Sequence, residues 1–224
     1  MGAFLDEVIS PFYEKCPTSQ DQFAFGQIFR APAYYPQQSL EVWRPKVFDR
    51  QLGFASAFEV ESRPKDAFRR AYPYSRPPLR TNEEFLAIKG KPRPVILIRP
   101  PDSSLLEVQK LARSRRITHH LCAVVLIYSV VDQTGTQRFP APFLERVRHL
   151  EYGQFLFLPQ GGPITADSLA RIDEVQSVAL DQLDPTGFRL TPDLVAIMKS
   201  QVSFHLTGLA GQDFSGWAEL LRQS

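Results

Sequence analysis

A four-residue aliphatic run closed in by prolines does most to limit what this chain can become. In "GKPRPVILIRPP" (90–101), Val95 to Ile98 have the length and composition of a strand buried on both faces. Pro92 and Pro94 have no amide hydrogen for a sheet ladder, so full pairing is expected only beyond Pro94. Each proline also drives the residue before it into extended backbone, which holds Lys91 and Arg93 outstretched. Arg93 is then a guanidinium fixed at the mouth of a core strand. It is either a solvated charge guarding an aggregation-prone run or a group presented to a ligand.

Other strand-sized apolar runs follow the same pattern. "FAFGQIF" (23–29), "FASAFEVES" (54–62), "HHLCAVVLIYSVV" (119–131) and "GQFLFLP" (153–159) read as strands, and "SLARIDEVQSVAL" (168–180) is strand-like in parts. Turns are expected at 132–135, at "QGGP" (160–163) and at "DPTG" (184–187). Helical spacing predicts a short helix over 4–15 and another over 103–117, where Ser104 and Glu107 are spaced as a capping box. Thr191 and Pro192 open a third helix from the positions they favour, N-cap and first turn.

Between Arg30 and Lys89 periodicity is weak and prolines are frequent. Sixty such residues are unusual inside a compact domain, so 31–89 reads as a proline-rich basic insertion or lid. Residues 41–120 carry seventeen Lys/Arg against nine Asp/Glu, net +8, between flanks of −2 and −4. That middle suits either a phosphate-attracting face or a soluble insertion. Tyr34, Tyr35, Trp43, Tyr72 and Tyr74 lie there among Arg44, Arg69, Arg70 and Arg76, a mix that fits base stacking or an insertion packing its own aromatics.

No apolar segment is long enough for a membrane span. Asp6 and Glu7 stand where a secretion signal needs basic residues, so the expected location is the cytoplasm. Cys16 and Cys122 are too few and too far apart for a disulfide framework or metal cluster. His119 and His120 are neighbours on a strand and diverge, which suits capping better than acid–base catalysis, and no third ligand stands at metal-like spacing.

The order of these pieces resembles the PemK/MazF toxins. "FGQIF" is similar to that family's opening strand, "KPRPVILI" to its "RP" strand, and "CAVVLIYS" to the strand ending in a hydroxyl residue. Residues 168–208 are similar to its acidic strand, glycine turn and closing helix. The resemblance covers most of 24–30 and 90–208. It implies a mainly β (α+β) chain: a single domain over 1–224, built as an SH3-like PemK/MazF/CcdB-type barrel with a C-terminal helix. Here that barrel would carry the insertion at 31–89 after its first strand and an extra tail helix at 209–224. It also implies a metal-independent endoribonuclease (an mRNA interferase-type toxin, a hydrolase) with no cofactor. The partners implied are single-stranded RNA, an antitoxin protein and a second copy of the chain, with no membrane.

In that reaction a ribose 2′-hydroxyl attacks the adjacent phosphorus, and charge gathers on the phosphate oxygens. A rigid guanidinium aimed there stabilises the transition state, and its planar fork matches two oxygens. The resemblance carries the catalytic role onto Arg93 and a hydroxyl role onto Tyr128 or Ser129, with Lys89 and Lys91 binding RNA. The family's threonine is replaced here by Tyr128. Neighbours on a strand face opposite ways, so only one of the two hydroxyls can serve. Two rival readings stay open: a non-catalytic barrel binding a protein or nucleic acid, and a structural protein whose insertion is the interaction element.

Overall fold

The computed structural model describes residues 2–18, 23–35, 40–49, 51, 54–63, 65–69, 73–75, 78–100, 121–209 and 211–223. The helix expected at 103–117 and both adjacent histidines lie outside the described residues. The chain divides into two compact units, one of Met1–Ala33 with Pro92–Ser224, the other of Tyr34–Lys91. In chain order the first elements are α1 (Leu5–Val8), β1 (Tyr13–Lys15), β2 (Gln27–Tyr34), β3 (Glu41–Asp49), β4 (Phe54–Ser62), β5 (Tyr74–Ser75), β6 (Pro78–Leu79) and β7 (Phe85–Leu86). They are followed by β8 (Gly90–Arg99), β9 (Leu121–Ser129), α2 (Ala141–Arg148), β10 (Phe155–Leu158), β11 (Ser168–Ala179), β12 (Asp184–Leu190), α3 (Pro192–Thr207) and α4 (Gln212–Gln223).

The larger unit is built on one seven-stranded sheet in the order β1-β12-β2-β8-β9-β11-β10. β8 pairs antiparallel with β9 from Val95 onward, the first residue after the prolines. Both faces of these strands are buried, which is why their sequences are continuous apolar runs. Ile96, Val125, Ile127, Ala170 and Ile172 pack on one face with Leu5, Leu194, Ile197, Met198 and Leu221 from α1, α3 and α4. Val95, Leu97, Val124 and Leu126 pack on the other with Phe29, Val178 and Leu183. α3 comes so close to the turn before β2 that a Cβ at Gly26 would sit 2.6 Å from the Val195 methyl carbon. Gly26 also has φ +88°, so glycine is required there twice over.

No ladder joins β1 to β10 among the described residues, so the expected barrel is not closed by strand pairing. The two edges still meet at one point, where the Tyr13 hydroxyl donates to the Pro159 carbonyl at 2.7 Å. Burial pushes the Tyr13 phenol well above its usual pKa, with a smaller push from Asp167, so it remains a donor. At the first residue of the same edge strand α3 contributes as well: the buried Gln201 amide donates to the Phe155 carbonyl at 2.8 Å. Tyr13→Phe should lower the unfolding free energy by about 0.5–1.5 kcal/mol, measured by urea denaturation. Unchanged stability would mean that water serves the Pro159 carbonyl equally well.

Several expectations are corrected. The first helix ends after one turn and the chain re-emerges as β1, because Pro11 cannot supply a helical amide. The first strand starts four residues later than read, at Gln27, since Gly26 turns the chain. "DPTG" lies inside β12, where Pro185 and Gly187 form an irregularity between Pro185 and Phe188 rather than a chain reversal. β3 carries Pro45 in mid-strand and tolerates it through register shifts on either side of Val47. α2, two turns opened by Pro140, was not expected at all; it covers Val130, Phe157 and Leu169 with Val147. The helix at Thr191-Pro192 forms as read and ends at Gly208 in the left-handed conformation. No helix among the described residues is long and apolar enough to cross a membrane.

The smaller unit holds a three-stranded sheet in the order β4-β3-β7 and the short pair β5-β6. On one face Arg44 binds Asp66 at 2.7 Å, Glu84 at 2.9 Å and Glu61 at 3.2 Å. The opposite face carries Trp43, which lies against Phe58 with ring centroids 4.5 Å apart and planes tilted by 39°, and meets Phe85 edge-on at 6.1 Å.

Candidate functional site

Register alone brings the site together. Val95 lies opposite Leu126, so one alternation further along each strand sets Arg93 beside Tyr128 on the same face. The contact is direct: the Arg93 guanidinium carbon is 4.4 Å from the centre of the Tyr128 ring. Leu126 in turn lies opposite Arg171 of β11, which puts a second guanidinium on that face, 5.8 Å from the same ring.

β11 then departs from regular pairing. Arg171 lies opposite Leu126 and Val175 opposite Val125, so Ile172, Asp173 and Glu174 have no counterparts on β9. The bulge turns two carboxylates back toward the arginine that precedes them. Asp173 takes Arg171 in a two-point grip, Nε to Oδ1 at 3.1 Å and Nη2 to Oδ2 at 2.5 Å. Glu174 binds the remaining end of the same guanidinium, Nη1 to Oε1 at 2.7 Å. The other oxygen of Glu174 accepts a short hydrogen bond from the Tyr128 hydroxyl. One carboxylate therefore links the tyrosine to Arg171, while Arg93 lies against the tyrosine ring.

The electrostatics follow. Burial, then the bond to Glu174, pushes the Tyr128 phenol well above its usual pKa, and the two arginines oppose this only weakly. Tyr128 is thus a neutral donor across the physiological range. The bond to Asp173 holds the Arg171 guanidinium above its ordinary value against the cost of burial. Arg93 is only 9% exposed, so it is not the solvated gatekeeper that its place in the sequence allowed. A stacked, desolvated guanidinium of this kind gains about 0.5–2 kcal/mol from the ring.

Of the residues singled out by sequence, Arg93 and Tyr128 are brought together. Ser129 alternates to the opposite face, where it lies across from Ser168. Lys89 and Lys91 are exposed and belong to the smaller unit. Arg171, Asp173 and Glu174 escaped the sequence reading; the signal was three charged residues within a strand that is otherwise apolar at its start. Two guanidiniums, two carboxylates and a phenol can bind an anion, hold a proton acceptor in place, and donate a hydrogen bond. Among the described residues, no group of three or more His, Cys, Asp and Glu is arranged to hold a metal ion. No protein-family model matches the chain, and a search of curated proteins finds no match to it.

Proposed function

We propose that this chain is a metal-independent endoribonuclease of the PemK/MazF type, a cytoplasmic toxin with an SH3-like organisation that acts on single-stranded RNA. One observation carries the reading: a buried arginine lies on a tyrosine whose hydroxyl is bonded to a carboxylate, all on one face of the sheet. Transesterification needs those three capacities. Arg93 stabilises charge on the phosphate oxygens as the pentavalent state forms. Glu174, held by Arg171, accepts the 2′-hydroxyl proton. Tyr128 exchanges its bond to Glu174 for one to a phosphate oxygen and fixes the line of attack. The P–O5′ bond breaks, the leaving oxygen takes a proton from water, and the hydroxide left behind takes the proton that Glu174 received, which restores the carboxylate. The partners that belong to this proposal are an antitoxin protein and a second copy of the chain.

The test is cleavage of single-stranded RNA in the presence of a chelator. The expected products carry a 2′,3′-cyclic phosphate on one fragment and a 5′-hydroxyl on the other. Tyr128→Phe should slow cleavage about tenfold, the loss of one hydrogen bond to a charged group, while Ser129→Ala should leave it unchanged. The reverse order would move the hydroxyl role to Ser129 and the site to the other face.

A second reading, a non-catalytic module that binds RNA or protein, is favoured by a different observation. Arg171 is occupied by two carboxylates, so the two arginines and two acids of the cluster sum to zero charge. That reading expects no cleavage product under any condition, whether the ligand bound is RNA or protein.

A further inference from the structure

The three-stranded sheet of the smaller unit has two unlike faces. Val42, Arg44, Glu59 and Glu61 alternate onto one of them, and Arg44 gathers Glu61, Asp66 and Glu84 there. Trp43 and Pro45 alternate onto the other, opposite Val60 and Phe58, with Phe85 of β7 beside Trp43. Trp43 is 45% exposed and Val60 55%, so an aromatic platform stands open to solvent while the carboxylates that grip Arg44 lie on the far side. A half-open tryptophan propped between two phenylalanine rings is rigid, and it offers a flat face at little entropic cost.

Charge selects what lands there. Residues 34–91 carry eleven Lys/Arg against seven Asp/Glu, net +4. Four of those acids lie on the Arg44 side of the sheet: Glu61, Asp66 and Glu84 bind Arg44, and Glu59 lies 3.8 Å from Lys46. Lys65, Arg69, Lys89 and Lys91 are exposed. An apolar protein surface would match the platform but not the net positive charge of the unit that carries it. A polyanion with stackable bases matches both.

We infer that the Trp43–Phe58–Phe85 face of the smaller unit is a stacking platform for the bases of single-stranded RNA. The choice of RNA rests on the proposed cleavage reading; the platform and the charge do not.

The experiment uses the full chain and a 2′-O-methyl uridine 12-mer, which a 2′-hydroxyl-dependent cleavage cannot consume. Affinity is read by anisotropy of the labelled oligomer over a salt series, and Trp43 contact by fluorescence quenching in a Trp217→Phe background. Trp43→Ala should weaken binding by roughly 5- to 150-fold and leave the salt slope unchanged, because no cation is removed. Trp43→Phe should retain most of the affinity, which controls for a folding defect. Lys65→Ala with Arg69→Ala should lower the salt slope. Wild-type affinity in Trp43→Ala, absence of quenching, or concentration-dependent self-association that Trp43→Ala abolishes without RNA binding would each overturn the inference. If the platform variants lose binding while no variant or wild type cuts RNA, the cleavage reading fails and the platform stands. If cleavage depends on Arg93 but binding ignores Trp43, the reverse holds.

Discussion

Arg93→Lys should slow cleavage of single-stranded RNA nearly as much as Arg93→Ala, about a hundred- to thousand-fold in each case. The guanidinium is buried and lies 4.4 Å above the Tyr128 ring, so its orientation is fixed before any phosphate arrives. Lysine keeps the charge but has one point of attachment where arginine has a fork, and it is more costly to strip of water. Arg93→Ala also loses the ring contact and should cost about 0.5–2 kcal/mol of stability, whereas the lysine ammonium can keep part of it. Single-turnover cleavage and thermal melting, read together, separate the roles. Full activity in Arg93→Lys would remove the bidentate role, and a collapsed melting transition in both variants would make Arg93 a structural strut.

The second large effect concerns the sheet itself. Phe29 is 1% exposed and lies on the face opposite α3, with the Phe23 ring 4.9 Å away at 69°. Its strand neighbour in β12 is Pro185, which has no amide to donate, so side-chain packing carries more of the cohesion at this point. Phe29→Ala should therefore lower the unfolding free energy by about 3–5 kcal/mol, against about 0.5–1.5 kcal/mol for Ile96→Val on the other face. Urea denaturation of the full chain measures both. A loss below about 1 kcal/mol for Phe29→Ala would mean that this face relaxes into the space, and that the sheet rests mainly on its helical side.

The apolar strands were legible because burial on both faces leaves no choice of residue: Val95 to Leu97 and Val124 to Ile127 could be little else. Arg93 was legible for the converse reason, a charge fixed between prolines beside such a run. What stayed hidden was set by pairing over long sequence distances. The bulge at 172–174 exists because β11 must meet β9 on both sides of it, and no local propensity records that. Glu174 therefore read as one more polar strand residue, although it joins Tyr128 to Arg171. β3 was obscured by Pro45, whose missing donor is tolerated through the register shifts around Val47. α2 is only two turns long and begins among prolines, so its spacing had too few residues to stand out.

The hydrogen bonds from Tyr13 to Pro159 and from Gln201 to Phe155 also bear on how this chain behaves in a crowd. β10 is a short apolar strand at the rim of the sheet, and "FLFL" with unclaimed carbonyls would template the addition of a foreign strand. The carbonyl of its first residue, Phe155, and that of Pro159 just past its end are four residues apart and so turned the same way, and both are already taken by side chains from distant parts of the fold. A phenol and a buried amide thus occupy the two ends of this rim, and Pro159, with no amide to donate, ends the ladder there.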